Sequence, residues 1–273
     1  MLAIFLLFFL LAYSYHGKGS LGDASKILLT VTSFVFGFYV NNLITQARNR
    51  HSKVVESLRE EGGYIKAIYL ILKSSFENNK VTETRDAIDI YLIAGMDYKV
   101  YDYVMSAPQF AELYNKVMNL KPENKQQDGG WGQIIRVIAE ISKGRTRIET
   151  LVKERVSTFE WLTTYTLLTL VIYFIYTLNS GTLLSIMITA SISTSLTMLL
   201  IVLYSLDSLR WKEDKWFWDP LKELFTSVNL IPYYPKILVD TGRVKLVRDQ
   251  PVRLAEYPYP FPDMKDKRII LKG

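Results

Sequence analysis

Few residues of this chain have the types and spacing that enzymatic chemistry requires. The sequence of 273 residues contains no cysteine and two histidines, His16 and His51, which lie far apart. A thiolate nucleophile, a disulfide and a thiolate metal site are therefore excluded, and a metal centre with several histidines is not expected. The segment LVDTG (238–242) has the sequence of an aspartic-protease loop, but the chain ends too soon after it to build a protease domain. We predict a turn there, because two such aspartates must face each other for catalysis.

Two acidic pairs remain as candidates for metal binding: Glu60 with Glu61, and Glu213 with Asp214. Ca²⁺ requires several oxygen ligands that converge from one loop, and neither pair belongs to such a loop. We therefore expect solvated charges, no metal and no cofactor. The net charge of +6 comes from basic residues interleaved with acidic ones, so a nucleic-acid partner is not expected either. Together these patterns predict a protein that is not an enzyme.

A different kind of pattern lies in the uncharged segment 27–46, which contains TSFVFGFYVNN (32–42). Thr30, Phe34 and Phe38 follow each other in steps of four, and Asn41 or Asn42 continues the series. On a helix these residues share one face, because side chains three and four positions apart lie above each other. A phenyl ring has a positive edge, so rings turned edge-on to an axis favour a weakly hydrated anion over a cation.

Ser33 and Gly37 form a strip of small residues beside this face. Small residues allow a neighbouring helix in a membrane to approach closely. Two interpretations follow. Either the aromatic residues face lipid while the small strip packs, or the face lines a narrow hydrophobic pore in an oligomer, with the amides of Asn41 and Asn42 at its cytoplasmic mouth.

The elements that position this face are membrane helices. The chain is 49% apolar, and a helix needs about 20 residues to cross a bilayer. Two apolar segments, 2–15 and 27–46, predict one hairpin, and the uncharged run 161–206, divided by a turn at 179–182, predicts a second. The first segment lacks the basic start of a signal peptide, so we expect it to be retained as a helix.

Basic residues next to the helix ends predict the orientation, because cytoplasmic flanks are enriched in Lys and Arg. They follow the second and fourth apolar segments and precede the third. We therefore expect a multi-pass membrane protein with both termini in the cytoplasm. The predicted domains are a first transmembrane hairpin (1–46), a helical cytosolic domain (47–158), a second hairpin (159–206) and a cytosolic tail (207–273).

Within the cytosolic parts, apolar residues recur in steps of three and four, which predicts helices with one buried face. The helix that begins near Ile134 is expected to continue without a break into the third membrane helix, after a flexible loop at 120–130. In the tail, Trp211, Trp216 and Trp218 are predicted to anchor the fourth helix at the membrane interface. A β-hairpin is expected around 240–242, followed by an extended proline-rich arm.

Two segments resemble a known family. SFVFGFYVNNLIT (33–45) resembles the signature of the second membrane helix of bestrophins, which are pentameric channels best known for chloride conduction. FEWLTTYTLL (159–168) is similar, more weakly, to the start of their third membrane helix. The order of hairpin, long helical segment, hairpin and tail also agrees with that family. The resemblance implies a homopentamer with a pore along the second membrane helix.

Carried over by position, the resemblance places Phe34 and Phe38 at two phenylalanines of the family's pore neck. Thr30 falls at the third neck position, where relatives carry an aliphatic residue, which predicts a wetter neck. Ile148 falls near the residue that forms the family's cytosolic constriction. The acidic cluster with which animal members bind Ca²⁺ has no clear counterpart after Asp207, so Ca²⁺ gating is not implied.

The sequence thus predicts an all-α integral membrane protein with four transmembrane helices in two hairpins and a helical cytosolic domain. The resemblance implies a pentameric channel in the bilayer that conducts chloride or other small anions. The alternative is a membrane-anchored scaffold or sensor, whose cytosolic helices bind a partner and whose aromatic helix face merely packs.

Overall fold

The computed structural model describes residues 2–15, 22–98, 100–211, 214–242, 244, 246, 250–258 and 266–272. Residues 16–21 and part of the expected proline-rich arm, including 259–265, lie outside these residues. The chain divides into two compact units. Unit 1 comprises 1–51 and 155–211, and unit 2 comprises 52–154 and 212–273.

The structure is mostly helical, as predicted. Its helices are α1 (Leu2–Ser14), α2 (Gly22–Ser75), α3 (Asn78–Asp97), α4 (Ala107–Met118), α5 (Lys125–Lys153), α6 (Thr158–Thr177), α7 (Leu183–Asp207), α8 (Asp219–Ser227) and α9 (Lys236–Asp240). A 3-10 helix (Val100–Ser106) precedes α4, and a π-helical turn (Asp214–Trp218) precedes α8. The tail departs from an all-α fold, because β1 (Tyr233–Pro235), β2 (Val252–Glu256) and β3 (Arg268–Lys272) form a sheet in that order. Strand β2 pairs parallel with β1 and antiparallel with β3.

Three stretches of helix among the described residues are long and apolar enough to cross a membrane. They lie in α2, in the run of α5 and α6, and in α7. Helix α1 is apolar but has 13 residues, fewer than the roughly 20 that a perpendicular crossing needs. Four full spans are therefore not established. Helix α1 nevertheless packs in unit 1, where Ala12, Tyr176 and Ile186 form a buried cluster.

The turn predicted at 179–182 is confirmed by the end of α6 and the start of α7. Gly181 adopts a φ of 77°, a conformation that glycine reaches without steric cost. The side chain of Thr182 then caps α7 by accepting a hydrogen bond from the backbone of Ser185. Asn179 ties the turn to α1, because its Nδ2 donates to the carbonyl of Ala12 at 2.9 Å.

The uninterrupted helix predicted from Ile134 into the third membrane segment is wrong. Helix α5 ends at Lys153 and α6 begins at Thr158. The physical reason is a capping box, in which the Ser157 side chain accepts from the Glu160 backbone while the Glu160 side chain accepts from the Ser157 backbone. The predicted loop at 120–130 is also too long, because Asn124 caps α5 and the helix starts at Lys125.

The β-hairpin predicted around 240–242 is wrong as well. Residues Lys236–Asp240 form α9 instead, and Gly242 follows the helix with a φ of 69°. A glycine in this left-handed conformation is a common helix terminator, because its N–H satisfies a carbonyl of the last turn. Here the Gly242 N–H donates to the carbonyl of Val239 at 3.0 Å. The Asp-Thr-Gly sequence therefore encodes a helix end.

Candidate functional site

The orientation of α2 in unit 1 follows from the residues that it buries. Phe36, Val40 and Leu43 are almost completely buried and belong to one apolar cluster with Val171 of α6 and Leu203 of α7. Because an α-helix turns by about 100° per residue, these side chains occupy one side of α2. The opposite side must point away from the rest of unit 1.

Phe34 and Phe38 lie on that opposite side. Their exposed fractions are 75% and 72%, whereas Phe36 between them is 1% exposed. Four residues correspond to about 400° of helical rotation, so the two phenyl rings are about 40° apart around the helix axis. The structure therefore brings Phe34 and Phe38 to a common face, together with the exposed residues Thr30, Asn41 and Asn42. We call these five residues the outward face of α2.

The polar groups of the outward face differ in the hydrogen-bond donors and acceptors that they present. The hydroxyl of Thr30 donates to the Lys26 carbonyl at 2.9 Å. Its proton is therefore used within the helix, and only the lone pairs of its oxygen can accept a further hydrogen bond. The side chains of Asn41 and Asn42 are exposed, and each amide carries two N–H donors and one acceptor. The wetter neck predicted at Thr30 thus rests on an oxygen acceptor, whereas hydrogen-bond donors are concentrated at the asparagines.

The small strip lies beside the outward face. A Cβ atom added at Gly37 would meet no atom within 4 Å, and Ser33 is half-buried. Among the residues that the structure describes, therefore, no neighbouring helix lies against Gly37. The open space leaves room for a helix of a second copy, which stays a prediction.

Three other predicted site residues lie elsewhere. Ile148 is 0% exposed and packs inside unit 2, so its side chain does not face an aqueous passage as a constriction would require. Trp216 and Trp218 are likewise buried in unit 2, which does not suit residues expected to anchor a helix in lipid headgroups. Trp211 is 38% exposed, and its role as an interfacial anchor stays a prediction. The stripe periodicity of α5 explains the burial of Ile148, because apolar stripes are core-facing by default.

The sequence patterns missed a buried ion pair at the end of the membrane segments. Arg50 of α2 donates from Nη1 to Oδ1 of Asp207 at 3.2 Å and from Nη2 to the Asp207 carbonyl. The same Oδ1 accepts the backbone N–H of Val156 at 3.0 Å. One carboxylate thus joins α2, α7 and the segment before α6, and it holds α2 at a defined rotation. The available signal in the sequence was a single acidic residue, Asp207, directly after the uncharged run 161–206.

A second buried polar cluster, in unit 2, was also missed. The hydroxyls of Tyr91 and Tyr103 donate to the two carboxylate oxygens of Glu61, and Arg145 donates to the Tyr91 hydroxyl at 2.5 Å. Burial raises the pKa of Glu61, while the tyrosine hydrogen bonds and Arg145 oppose that rise. Burial and the nearby carboxylate raise the pKa values of both tyrosines. Glu61 was predicted to be a solvated charge, and that prediction is wrong.

Within the part of the chain that the structure describes, no group of three or more His, Asp or Glu side chains is placed to hold a metal ion. Glu60 remains exposed beside the buried Glu61. No residue among those described is arranged as a nucleophile with an adjacent base on the outward face, whose side chains are phenyl, hydroxyl and amide groups.

Comparison with known proteins identifies the fold. A family model described as a bestrophin-like domain matches residues 2–208. Among solved structures, a mutant bacterial bestrophin homolog from Klebsiella pneumoniae is similar, with a TM-score of 0.54 and 14% sequence identity over 90% of this chain and 100% of that chain. At this identity the similarity concerns the fold alone. No curated protein sequence matches significantly.

Proposed function

The chain belongs to the bestrophin-like family, because the family model covers residues 2–208 of 273, and on this premise we propose that it forms an ion channel. In this channel, identical copies surround a pathway lined by the outward face of α2. The family consists of oligomeric channels that are not enzymes, which supports self-association. The pentamer that the sequence resemblance implies is the assembly that we propose.

The observation that carries the proposal is the composition of the outward face. Phe34 and Phe38 are exposed on the same side as Thr30, Asn41 and Asn42. On a face directed at lipid, two adjacent amides would be unfavourable, because polar groups are costly in hydrocarbon and lack hydrogen-bond partners there. Around a central axis, the same residues combine a hydrophobic constriction with a polar entrance, which is a combination that channels use.

The proposed path begins at Thr30 and ends at Asn41 and Asn42. Eight residues separate Thr30 from Phe38, so the neck is about 12 Å long at 1.5 Å per residue. Such a neck restricts flow because an ion must lose water to pass between the rings, and it gates by dewetting. We place Asn41 and Asn42 at its cytoplasmic end, with both termini and unit 2 in the cytoplasm. This orientation rests on the basic flanks of the membrane segments.

We further propose that the channel conducts chloride or other small anions. The positive edges of phenyl rings favour an anion, and the amides of Asn41 and Asn42 supply N–H donors. Thr30 contributes little to this preference, since its hydroxyl proton is engaged with Lys26. Reversal potentials in a chloride gradient test the selectivity separately from conduction itself.

The channel proposal is tested by recording from the purified protein in planar bilayers. Phe34→Ala combined with Phe38→Ala should raise the current, because the change widens and hydrates the proposed neck. Phe159→Ala is the matched control, since Phe159 is also 75% exposed but lies on α6. Its current should equal that of the wild type.

Two results would refute the proposal. One is silence of both the wild type and the double variant over a range of voltages and salts. The other is an equal rise in current for Phe159→Ala, which would point to a general effect on the membrane. Particle images of the solubilised protein test the assembly independently: five-fold symmetry supports the pentamer, and a monomer contradicts the channel.

A further inference from the structure

Unit 2 contains a cavity that the proposed ion pathway does not use. Its volume is about 260 Å³, just below the range of about 300 to 1,000 Å³ that is typical of drug-sized ligands. Most of its wall is apolar and includes Ile65, Leu92, Trp216, Phe217, Leu221 and Leu224. A small ligand with an apolar body fits such a wall.

Three buried polar side chains line the cavity, those of Glu61, Tyr91 and Tyr103, and we call them its buried polar end. The charged residues Arg59, Lys66 and Glu223 also line the cavity, but they are exposed. Both tyrosine hydroxyl protons are donated to Glu61. Arg145 approaches from behind this end, where it donates to Tyr91 at 2.5 Å and to Ser106 at 3.2 Å. Its guanidinium also lies over the ring of Tyr103, 4.4 Å from the centroid.

This arrangement favours one kind of ligand head group at the buried end. Because both hydroxyl protons are used, Glu61, Tyr91 and Tyr103 present only lone pairs to the cavity. A carboxylate has about four acceptor positions, and the two tyrosines occupy one on each oxygen. The remaining positions of Glu61 need a donor, and a ligand carboxylate at this buried end would instead meet the negative charge of Glu61.

The apolar wall reinforces this preference. Trp216 and Phe217 lie at 5.7 Å between ring centroids, and both line the cavity. Aromatic faces attract cations, indole most strongly. A buried carboxylate is costly unless it is paired, and a positively charged head group at this end would add a partner to Glu61.

We propose that this cavity binds a small organic amine, with its apolar body against Trp216 and Phe217 and its N–H groups directed at Glu61. This inference does not depend on ion conduction. It assigns to unit 2 a ligand site that is separate from the outward face of α2.

The test uses the full chain, solubilised in detergent or held in nanodiscs, and isothermal titration with 2-phenylethylamine. 3-Phenylpropionate is the matched probe, because it has a similar body but a carboxylate head. We expect saturable binding of the amine and at least tenfold weaker binding of the carboxylate. Absence of saturable amine binding, or equal affinity for the two probes, would overturn the proposal.

Variants locate the site without disturbing Glu61. Gly95 lines the cavity, and a Cβ atom added there would meet no atom within 4 Å. Gly95→Leu therefore fills the cavity and should weaken amine binding at least tenfold. Gly132→Leu is the control, since Gly132 is also a helical glycine of unit 2 with open space around it but does not line the cavity.

A third variant tests the head group. Glu61→Gln keeps the shape but removes the charge, so the affinity for the amine should fall at least tenfold. If Gly95→Leu binds the amine as tightly as Gly132→Leu does, the ligand lies elsewhere and the proposal fails. Unfolding of Glu61→Gln would leave the Gly95 comparison as the deciding measurement, because that pair keeps the Glu61 cluster intact.

Discussion

Replacing Phe36 with alanine should destabilise unit 1, whereas the same change at Phe34 or Phe38 should not. Phe36 is 1% exposed and lies in the cluster that α2 shares with α6 and α7. In a membrane, the separated helices keep their apolar side chains in lipid, so transfer from water contributes little. The cost of Phe36→Ala is then mainly the cavity. A void of about 100 Å³ at about 24 cal/mol per Å³ amounts to about 2.4 kcal/mol.

The exposed phenylalanines provide the matched controls. Phe34 is 75% and Phe38 is 72% exposed, so their removal leaves no cavity within the chain. Each single change should alter the free energy of unfolding by less than about 0.5 kcal/mol. The assay is SDS-driven unfolding in mixed micelles, followed by circular dichroism. Phe36→Ala should shift the unfolding equilibrium by about 50-fold.

Equal destabilisation by all three changes would refute this reasoning. It would mean that Phe34 and Phe38 are packed against protein in the assembled state, and not directed at an open axis. A Phe36→Ala variant as stable as the wild type would instead place Phe36 away from the core of unit 1. The proposed rotation of α2 would then be wrong.

Two further predictions concern the buried polar groups. Asp207→Ala should lower the free energy of unfolding by about 3 to 5 kcal/mol in the same assay, because it removes the carboxylate to which the buried Arg50 is bound. Combining it with Arg50→Met should recover most of that loss. A double variant no more stable than Asp207→Ala would contradict the ion-pair account. Burial raises the pKa of Glu61 above its usual 4.5, so between pH 4.5 and the folded pKa the folded state binds a proton that the unfolded chain releases, and Glu61 is ionised above that window. The free energy of unfolding should therefore fall as the pH rises from about 4.5 through the folded pKa. Glu61→Gln should remove this fall, as measured by unfolding at a series of pH values, and an unchanged slope would exclude Glu61 as its source.

Local patterns were sufficient for the helices and for the outward face of α2. The uncharged segments, their lengths and the turn at 179–182 depend on hydropathy and on short-range turn chemistry, which neighbouring residues determine. The common face of Phe34 and Phe38 follows from the helical period alone. The structure confirms that these two rings share a face, whereas the pore at which they are directed stays a proposal.

Other predictions were wrong at residues whose burial or helix boundary depends on long-range packing or on helix capping. The spacing of apolar residues on a helix identifies an apolar stripe but not whether protein or an open passage lies against it. Ile148 lies in the core of unit 2. Trp216 and Trp218 have the composition of an interfacial anchor, yet they pack inside unit 2. The break before α6 depends on the hydrogen bonds between Ser157 and Glu160. The spacing of apolar residues in this segment does not indicate those hydrogen bonds.

The sequence by itself determined that the chain has helices long and apolar enough to cross a membrane, that α2 carries an aromatic and polar face, and that α2 contains the segment that resembles the family signature. Each of these properties depends on residues within a few turns of one another. Only the tertiary structure decided that Arg50 meets Asp207, and that Glu61 lies between two tyrosines at the end of a cavity. The physical reason is distance along the chain: a buried charge requires a partner, but sequence composition does not say which of many distant groups the fold will bring to it.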